Sequence, residues 1–154
     1  MMDITREAEI LLVEDDPNDV ELTLHALQSG SVKNRTHVVR DGEEAMDFLF
    51  CRGPYADRSF DRPVHLVLLD LKLPKVDGME VLRALKSDLR TRRIPVIILT
   101  SSREEKDLIN GYNLGANSYV QKPVDFEEFR AAVRRLGLYW LVVNIPPPGG
   151  VNQK

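Results

Sequence analysis

Five short aliphatic runs, at 8–14, 37–40, 65–70, 95–100 and 117–121, alternate with segments whose apolar residues recur at helical spacing. This alternation constrains the fold more than any other feature of the chain. A strand with one wet face alternates polar and apolar residues, whereas ILLV, LVLL and VIIL are apolar throughout. Such strands need cover on both faces, and the amphipathic segments between them are the only available cover.

The helical segments carry their own punctuation. Asp16 can cap a helix that starts at Pro17, and Asp19 places negative charge at the positive end of its dipole. Val20, Leu24 and Leu27 then share one face, and Gly30 stops the helix. A second helix is expected over 41–50 with Ala45, Phe48 and Leu49 inward, and a third over 78–87 with Met79, Leu82 and Leu85 inward. Ser101 and Ser102, each three residues before Glu104 or Glu105, open a fourth that ends near Gly115. The last spans 125–140. Residues 51–63, CRGPYADRSFDRP, are long for a connection and form either a packed loop or a binding loop.

A strand–helix unit repeated five times describes an α/β protein with a doubly wound parallel five-stranded sheet. Right-handed crossovers leave few windings, foremost the flavodoxin-like (βα)5 arrangement with strand order 2-1-3-4-5. There is no internal repeat and no second domain. Residues 1–137 make the domain, and 138–154 are an apolar extension running into a proline-rich tail.

Charge and cysteine content remove several function classes. A net charge of −3 over 154 residues provides no basic field for nucleic acid. Cys51 has no partner for an intramolecular disulfide, which suits a reducing compartment. The N-terminus lacks the order of a signal peptide, and no apolar run approaches the roughly 18 residues of a membrane span. A cytoplasmic protein is expected.

In an open parallel sheet, ligands bind beyond the carboxyl ends of the strands. The first strand ends in Glu14, Asp15 and Asp16, the third in Asp70 and the fourth in Thr100, and the fifth leads to Lys122. Asp70 is the least expected of these, because it interrupts LVLL and Leu71 to Leu73 with a carboxylate. An unpaired buried carboxylate costs several kcal/mol or more, so Asp70 is expected at the open end of its strand rather than buried. Singly, each residue also reads as a cap, a turn or a solvated loop residue. Their convergence on one sheet edge is the specific signal. Gathered carboxylates repel, and an oxygen-only set of this kind suits Mg²⁺. With the Lys122 ammonium and the Thr100 hydroxyl it makes a clamp for a phosphoryl group, with Asp70 as the nucleophile that becomes an aspartyl phosphate.

LLVEDD (11–16), LVLLDLKLPKVDG (66–78), PVIILTS (95–101) and GANSYVQKP (115–123) resemble the motifs of response-regulator receiver domains of bacterial two-component systems. The resemblance spans about residues 8–137 and implies a fold similar to that of the chemotaxis regulator CheY. It implies that Glu14 and Asp15 are the acidic pair, with Asp16 an additional neighbour, and that Asp15 and Asp70 bind Mg²⁺ with the backbone carbonyl of Lys72. It further implies that Asp70 accepts phosphate from a sensor histidine kinase, that Thr100 and Lys122 hold the phosphoryl oxygens, and that Lys122–Pro123 is a cis peptide. Tyr119 matches an aromatic switch whose ring moves inward as Thr100 turns toward the phosphoryl group. That motion would alter the surface made by the fourth helix, the fifth strand and the last helix. Lys72 and Ser102 match positions that tune hydrolysis of the acyl phosphate. The implied protein is a signalling phosphoacceptor, not an enzyme with a separate substrate. Within the family, residues 51–63, 100–123 and LGLYWLVVNIPP resemble stand-alone regulators associated with bacterial phytochromes, which implies a light-sensing histidine kinase as donor.

The 17 or so residues after Gly137 are too few for a DNA-binding output domain. LYWLVVNI (138–145) is apolar all round, and exposing Trp140, Leu141, Val143 and Ile145 would leave a costly patch. A homodimer through this extension and the fourth-helix surface is expected; the alternative is a tail folded onto its own domain. Two other function classes fit less well. A Mg²⁺-dependent phosphohydrolase using Asp70 as nucleophile wants a carboxylic acid two residues later, where Lys72 stands. A redox carrier of flavodoxin type wants a phosphate-binding loop where the carboxylates are, and no glycine-rich nucleotide loop is present.

Overall fold

The aliphatic runs form one parallel sheet in the computed structural model, which describes residues 8–28, 34–101 and 115–137. Its strands are β1 (Ala8–Val13), β2 (Asn34–Val39), β3 (Leu66–Asp70), β4 (Val96–Thr100) and β5 (Ser118–Gln121), ordered β2-β1-β3-β4-β5. The described helices are α1 (Pro17–Gln28), α2 (Gly42–Leu49), α3 (Gly78–Ser87) and α4 (Phe126–Arg135). The expected strand order is therefore observed.

Alternation along each strand divides the core into two layers. Ile10, Leu12, Leu66, Leu68, Ile97, Leu99 and Val120 pack with Val20 and Leu27 of α1 and Phe129 and Val133 of α4. Their neighbours Leu11, Val13, Val67, Leu69, Val96 and Ile98 pack with Ala45, Phe48 and Leu49 of α2 and Val81, Leu82 and Leu85 of α3. Each fully buried aliphatic side chain contributes about 1.5–3 kcal/mol, so the central strands are fixed by burial on both sides. Met79 packs against the second layer but is only half-buried.

Capping fixes where three helices begin. Asp41, Asp77 and Asp125 each accept a hydrogen bond from the backbone N–H three residues on, at Glu44 (2.7 Å), Glu80 (3.0 Å) and Glu128 (2.7 Å). These D-x-x-E boxes escaped the sequence reading, which found only the serine boxes at 101–105.

Three boundaries differ from expectation. β2 begins at Asn34, three residues early, because an edge strand tolerates polar residues; Asn34 is held by the Leu27 carbonyl at 3.1 Å. α4 stops at Arg135 although apolar sequence continues, since Gly137 turns into left-handed backbone at φ +77° and Leu136 caps the last turn. Residues 51–63 are a packed loop. A 3-10 turn at Gly53–Tyr55 lets the Tyr55 hydroxyl donate to Glu44 at 2.7 Å, and Arg58 stacks 3.8 Å over the Phe48 ring and donates to the Phe48 carbonyl. The stop at Gly30, the helix expected over 101–115 with Ser102, and the extension 138–154 lie outside the described residues.

Candidate functional site

The sheet order places the ends of β1, β3 and β4 side by side, with β5 leading to Lys122. β3 is central, and its last residue, Asp70, pairs with Leu99 of β4, one residue before Thr100. Thr100 pairs with Gln121, and its amide-linked neighbour Lys122 donates its backbone N–H to the Thr100 carbonyl at 2.8 Å. The predicted cis peptide at Lys122–Pro123 is present. Oxygens of Glu14, Asp15 and Asp70 lie within 4.8 Å of one another. Asp16 stands apart from this group: its carboxylate accepts from the Asn18 N–H at 2.8 Å, capping α1.

Lys122 joins the cluster from the other side. Its ammonium lies 2.7 Å from Glu14 Oε1, 3.0 Å from Asp19 Oδ2 and 3.2 Å from Asp70 Oδ2. Asp19, read from sequence only as a charge at the head of α1, is thus a site residue that the sequence reading missed. The signal was the acidic residue in the first turn after DDPN, which only the winding of the sheet aims at Lys122.

Burial corrects one expectation. Asp70 is only 5% exposed rather than standing open. Two groups make this tolerable: the Lys122 ammonium, and the Lys72 backbone N–H, which donates to Asp70 Oδ1 at 3.2 Å. Glu14 is fully buried. Burial first, then the neighbouring Asp70 carboxylate, pushes its pKa up to about 7 against the pull of Lys122. Burial alone would lower the Lys122 pKa, but the carboxylates of Glu14, Asp19 and Asp70 outweigh it and raise it.

The loop after Asp70 is clamped at both ends. Gly78 donates to the Leu71 carbonyl at 3.0 Å, and a Cβ there would sit 2.4 Å from the Asp70 carbonyl oxygen. Gly42, at the head of α2, donates to the Pro74 carbonyl at 3.2 Å, and a Cβ there would meet the Val76 oxygen at 1.7 Å. Both glycines are needed for close approach. Within this loop the Lys72 side chain is exposed.

Thr100 is buried at the end of β4. Tyr119 sits on β5 opposite Ile98, half-buried against the α3-side layer, and burial raises its phenol pKa. It is not among the residues gathered around Lys122. An oxygen-only group of carboxylates, two of them buried, has the chemistry of a hard-cation site.

Residues 10–134 match the family model described as the response regulator receiver domain. Among solved structures, the bacteriophytochrome response regulator RtBRR is 51% identical with a TM-score of 0.83, over 94% of this chain and 86% of that one. Response regulator Rcp1 of Synechocystis is 39% identical, over 89% of this chain and 92% of its own. A crystal structure of the Mn(2+)-bound form of Rcp1 has a TM-score of 0.69 at 37% identity, over 91% of this chain and 99% of that one. The probable methanogenesis regulatory protein FilR2 of Methanothrix harundinacea is 41% identical, over 90% of this chain and 86% of its own.

Proposed function

This chain belongs to the response regulator receiver family, and from that premise we propose that it accepts a phosphoryl group on Asp70 from a sensor histidine kinase. The observation that carries the reading is the Lys122 ammonium 3.2 Å from Asp70, beside three carboxylates whose oxygens lie within 4.8 Å. Members of the family bind a divalent metal. Here Glu14, Asp15 and Asp70, with the backbone carbonyl of Lys72, would hold it, and the all-oxygen set favours Mg²⁺. When bound, such a cation supplies positive charge against which carboxylate and phosphoryl oxygens can approach.

The side chains divide the remaining work. An Asp70 oxygen attacks phosphorus as the bond from phosphorus to the donor's imidazole nitrogen breaks, and that nitrogen keeps the electron pair. Lys122 balances the charge carried over to Asp70. Thr100, one strand away, offers its hydroxyl to a phosphoryl oxygen. Fixing the loop 71–78 between α2 and α3 keeps Asp70 aimed without rearrangement. Lys72 and Ser102 set how fast water removes the phosphoryl group. Tyr119 follows Thr100 and passes the change to the face made by the helix expected over 101–115, β5 and α4, so the output is a changed surface rather than a released product.

The narrower assignments rest on similarity and sequence. The likeness to the bacteriophytochrome response regulator RtBRR supports a bacteriophytochrome-type kinase as the donor, and the cytoplasmic setting rests on the sequence. No helix among the described residues is long and apolar enough to cross a membrane. Residues 1–137 act as the receiver, and the apolar residues 138–145 extend a homodimer interface. Ending the chain after Gly137 should then give a monomer in light scattering. The central reading is tested by intact mass after incubation with Mg²⁺ and acetyl phosphate. A phosphate-sized gain is expected, lost with Asp70→Asn and with chelator. A gain that persists in Asp70→Asn defeats the assignment.

A further inference from the structure

Lys122 has three carboxylate neighbours, and they do not hold it in the same way. Glu14 Oε1 is nearest, at 2.7 Å, and is fully buried. Asp19 Oδ2 accepts a hydrogen bond from the ammonium at 3.0 Å, across 103 residues of sequence. A hydrogen bond between charged groups fixes orientation as well as supplying attraction. Asp19 projects from the first turn of α1 and its side chain is 29% exposed, while that of Lys122 is 13% exposed. It therefore approaches the ammonium from the solvent side of the cleft, with the Asp70 carboxylate more deeply buried at 7%.

We infer that Asp19 is a positioning residue, which anchors the Lys122 ammonium to α1 before phosphorylation and yields it to the phosphoryl oxygens afterwards. This rests on Asp70 being the phosphoacceptor. An ammonium has three protons, so Lys122 can keep contact with Asp70 while one proton is directed to Asp19. Anionic oxygens arriving at Asp70 compete for that proton, and their gain is reduced by whatever Asp19 contributed. Asp19 thus weakens the grip on an incoming phosphodonor. It also ties the head of α1 to the phosphorylation state, because the Asp19 carboxylate shares Lys122 only until the phosphoryl oxygens claim that proton.

The test compares wild type, Asp19→Asn and Asp19→Glu, using acetyl phosphate and Mg²⁺ and following phosphorylation by intact mass. In Asp19→Asn the KM for acetyl phosphate is expected to fall about fivefold, the loss of one partly exposed ion pair, with a smaller change in kcat. Asp19→Glu restores the charge and returns KM to within about twofold of wild type. The Lys122 Nζ resonance in ¹⁵N-lysine-labelled protein supplies a signature that bulk charge or a folding defect would not give. It should shift in Asp19→Asn before any phosphorylation, and the further shift on phosphorylation should be smaller than in wild type. An unchanged or raised KM, or a Lys122 resonance indifferent to Asp19→Asn, overturns the inference. Far-UV circular dichroism checks folding, and if Asp19→Asn does not fold, the Asp19→Glu resonance and KM carry the comparison, a KM raised beyond twofold counting against it. Absence of any adduct on wild type would instead sink the phosphoacceptor reading beneath it.

Discussion

Replacing Glu14 by Gln should stabilise the metal-free protein, although Glu14 is a proposed metal ligand. Its carboxylate is fully buried, and burial with Asp70 nearby raises its pKa from 4.5 to about 7. A carboxyl group whose folded pKa is raised contributes its full stability below the unfolded value. That contribution is lost as pH climbs toward the folded value, because the unfolded chain then releases its proton first. The window therefore runs from about pH 4.5 to about 7, and above it the loss is constant. At 1.36 kcal/mol per pKa unit, the charge on Glu14 costs the fold about 3 kcal/mol near pH 8, an upper bound since side chains relax around it. The attraction to Lys122 is already inside this net figure. Glutamine keeps the shape without the charge. Urea unfolding in chelator, followed by circular dichroism across this range, should give nearly equal stabilities near pH 4.5. Glu14→Gln should then pull ahead by about 1–3 kcal/mol near pH 8. Adding Mg²⁺ should reverse the order, because only the wild type gains binding energy from a full ligand set. A difference that does not vary with pH, or a variant less stable than wild type near pH 8 in chelator, would refute the reasoning.

Other outcomes follow from contacts in the same structure. Gly42→Ala puts a methyl group 1.7 Å from the Val76 carbonyl and must displace the loop after Asp70. A loss of about 1–3 kcal/mol in urea is expected, together with slower phosphate uptake. Lys122→Met leaves Glu14, Asp19 and Asp70 without their common counter-ion. It should abolish a lasting adduct and, above pH 7, cost about 3 kcal/mol by denaturant titration; a change under about 1 kcal/mol would mark Lys122 as a solvated loop residue. Tyr55→Phe removes the 2.7 Å hydrogen bond to Glu44 and should cost about 1–2 kcal/mol. It should also remove the phenol that titrates near 12, held up mainly by that bond, from the ultraviolet pH titration.

Much of this arrangement is legible in the sequence. The doubly covered sheet followed from apolar runs such as LVLL and VIIL, which have no wet face, and right-handed crossovers then put the order 2-1-3-4-5 foremost. The convergence of Glu14, Asp15, Asp70, Thr100 and Lys122 followed from that order, because every one of them ends or follows a strand. What stayed hidden depended on distances across the fold. Asp19 is an ordinary first-turn acid by local rules, and only the winding that lays α1 and α4 on one face of the sheet brings it to Lys122. The burial of Asp70 was misjudged because sequence shows a carboxylate but not the ammonium and the Lys72 N–H that satisfy it. In the same way, the sequence left residues 51–63 as either a packed loop or a binding loop, and the contacts of Tyr55 and Arg58 with α2 show it packed.

The central claim is that Asp70, and no other carboxylate of the cluster, takes the phosphoryl group. Borohydride reduces an aspartyl phosphate to homoserine and leaves free carboxylates untouched, so the acceptor is recorded in the chain itself. Protein treated with acetyl phosphate and Mg²⁺, then with borohydride, digested and sequenced by tandem mass spectrometry, should carry homoserine at position 70. Homoserine at position 15, 16 or 19, or none at all despite a phosphate-sized gain in intact mass, would contradict the account.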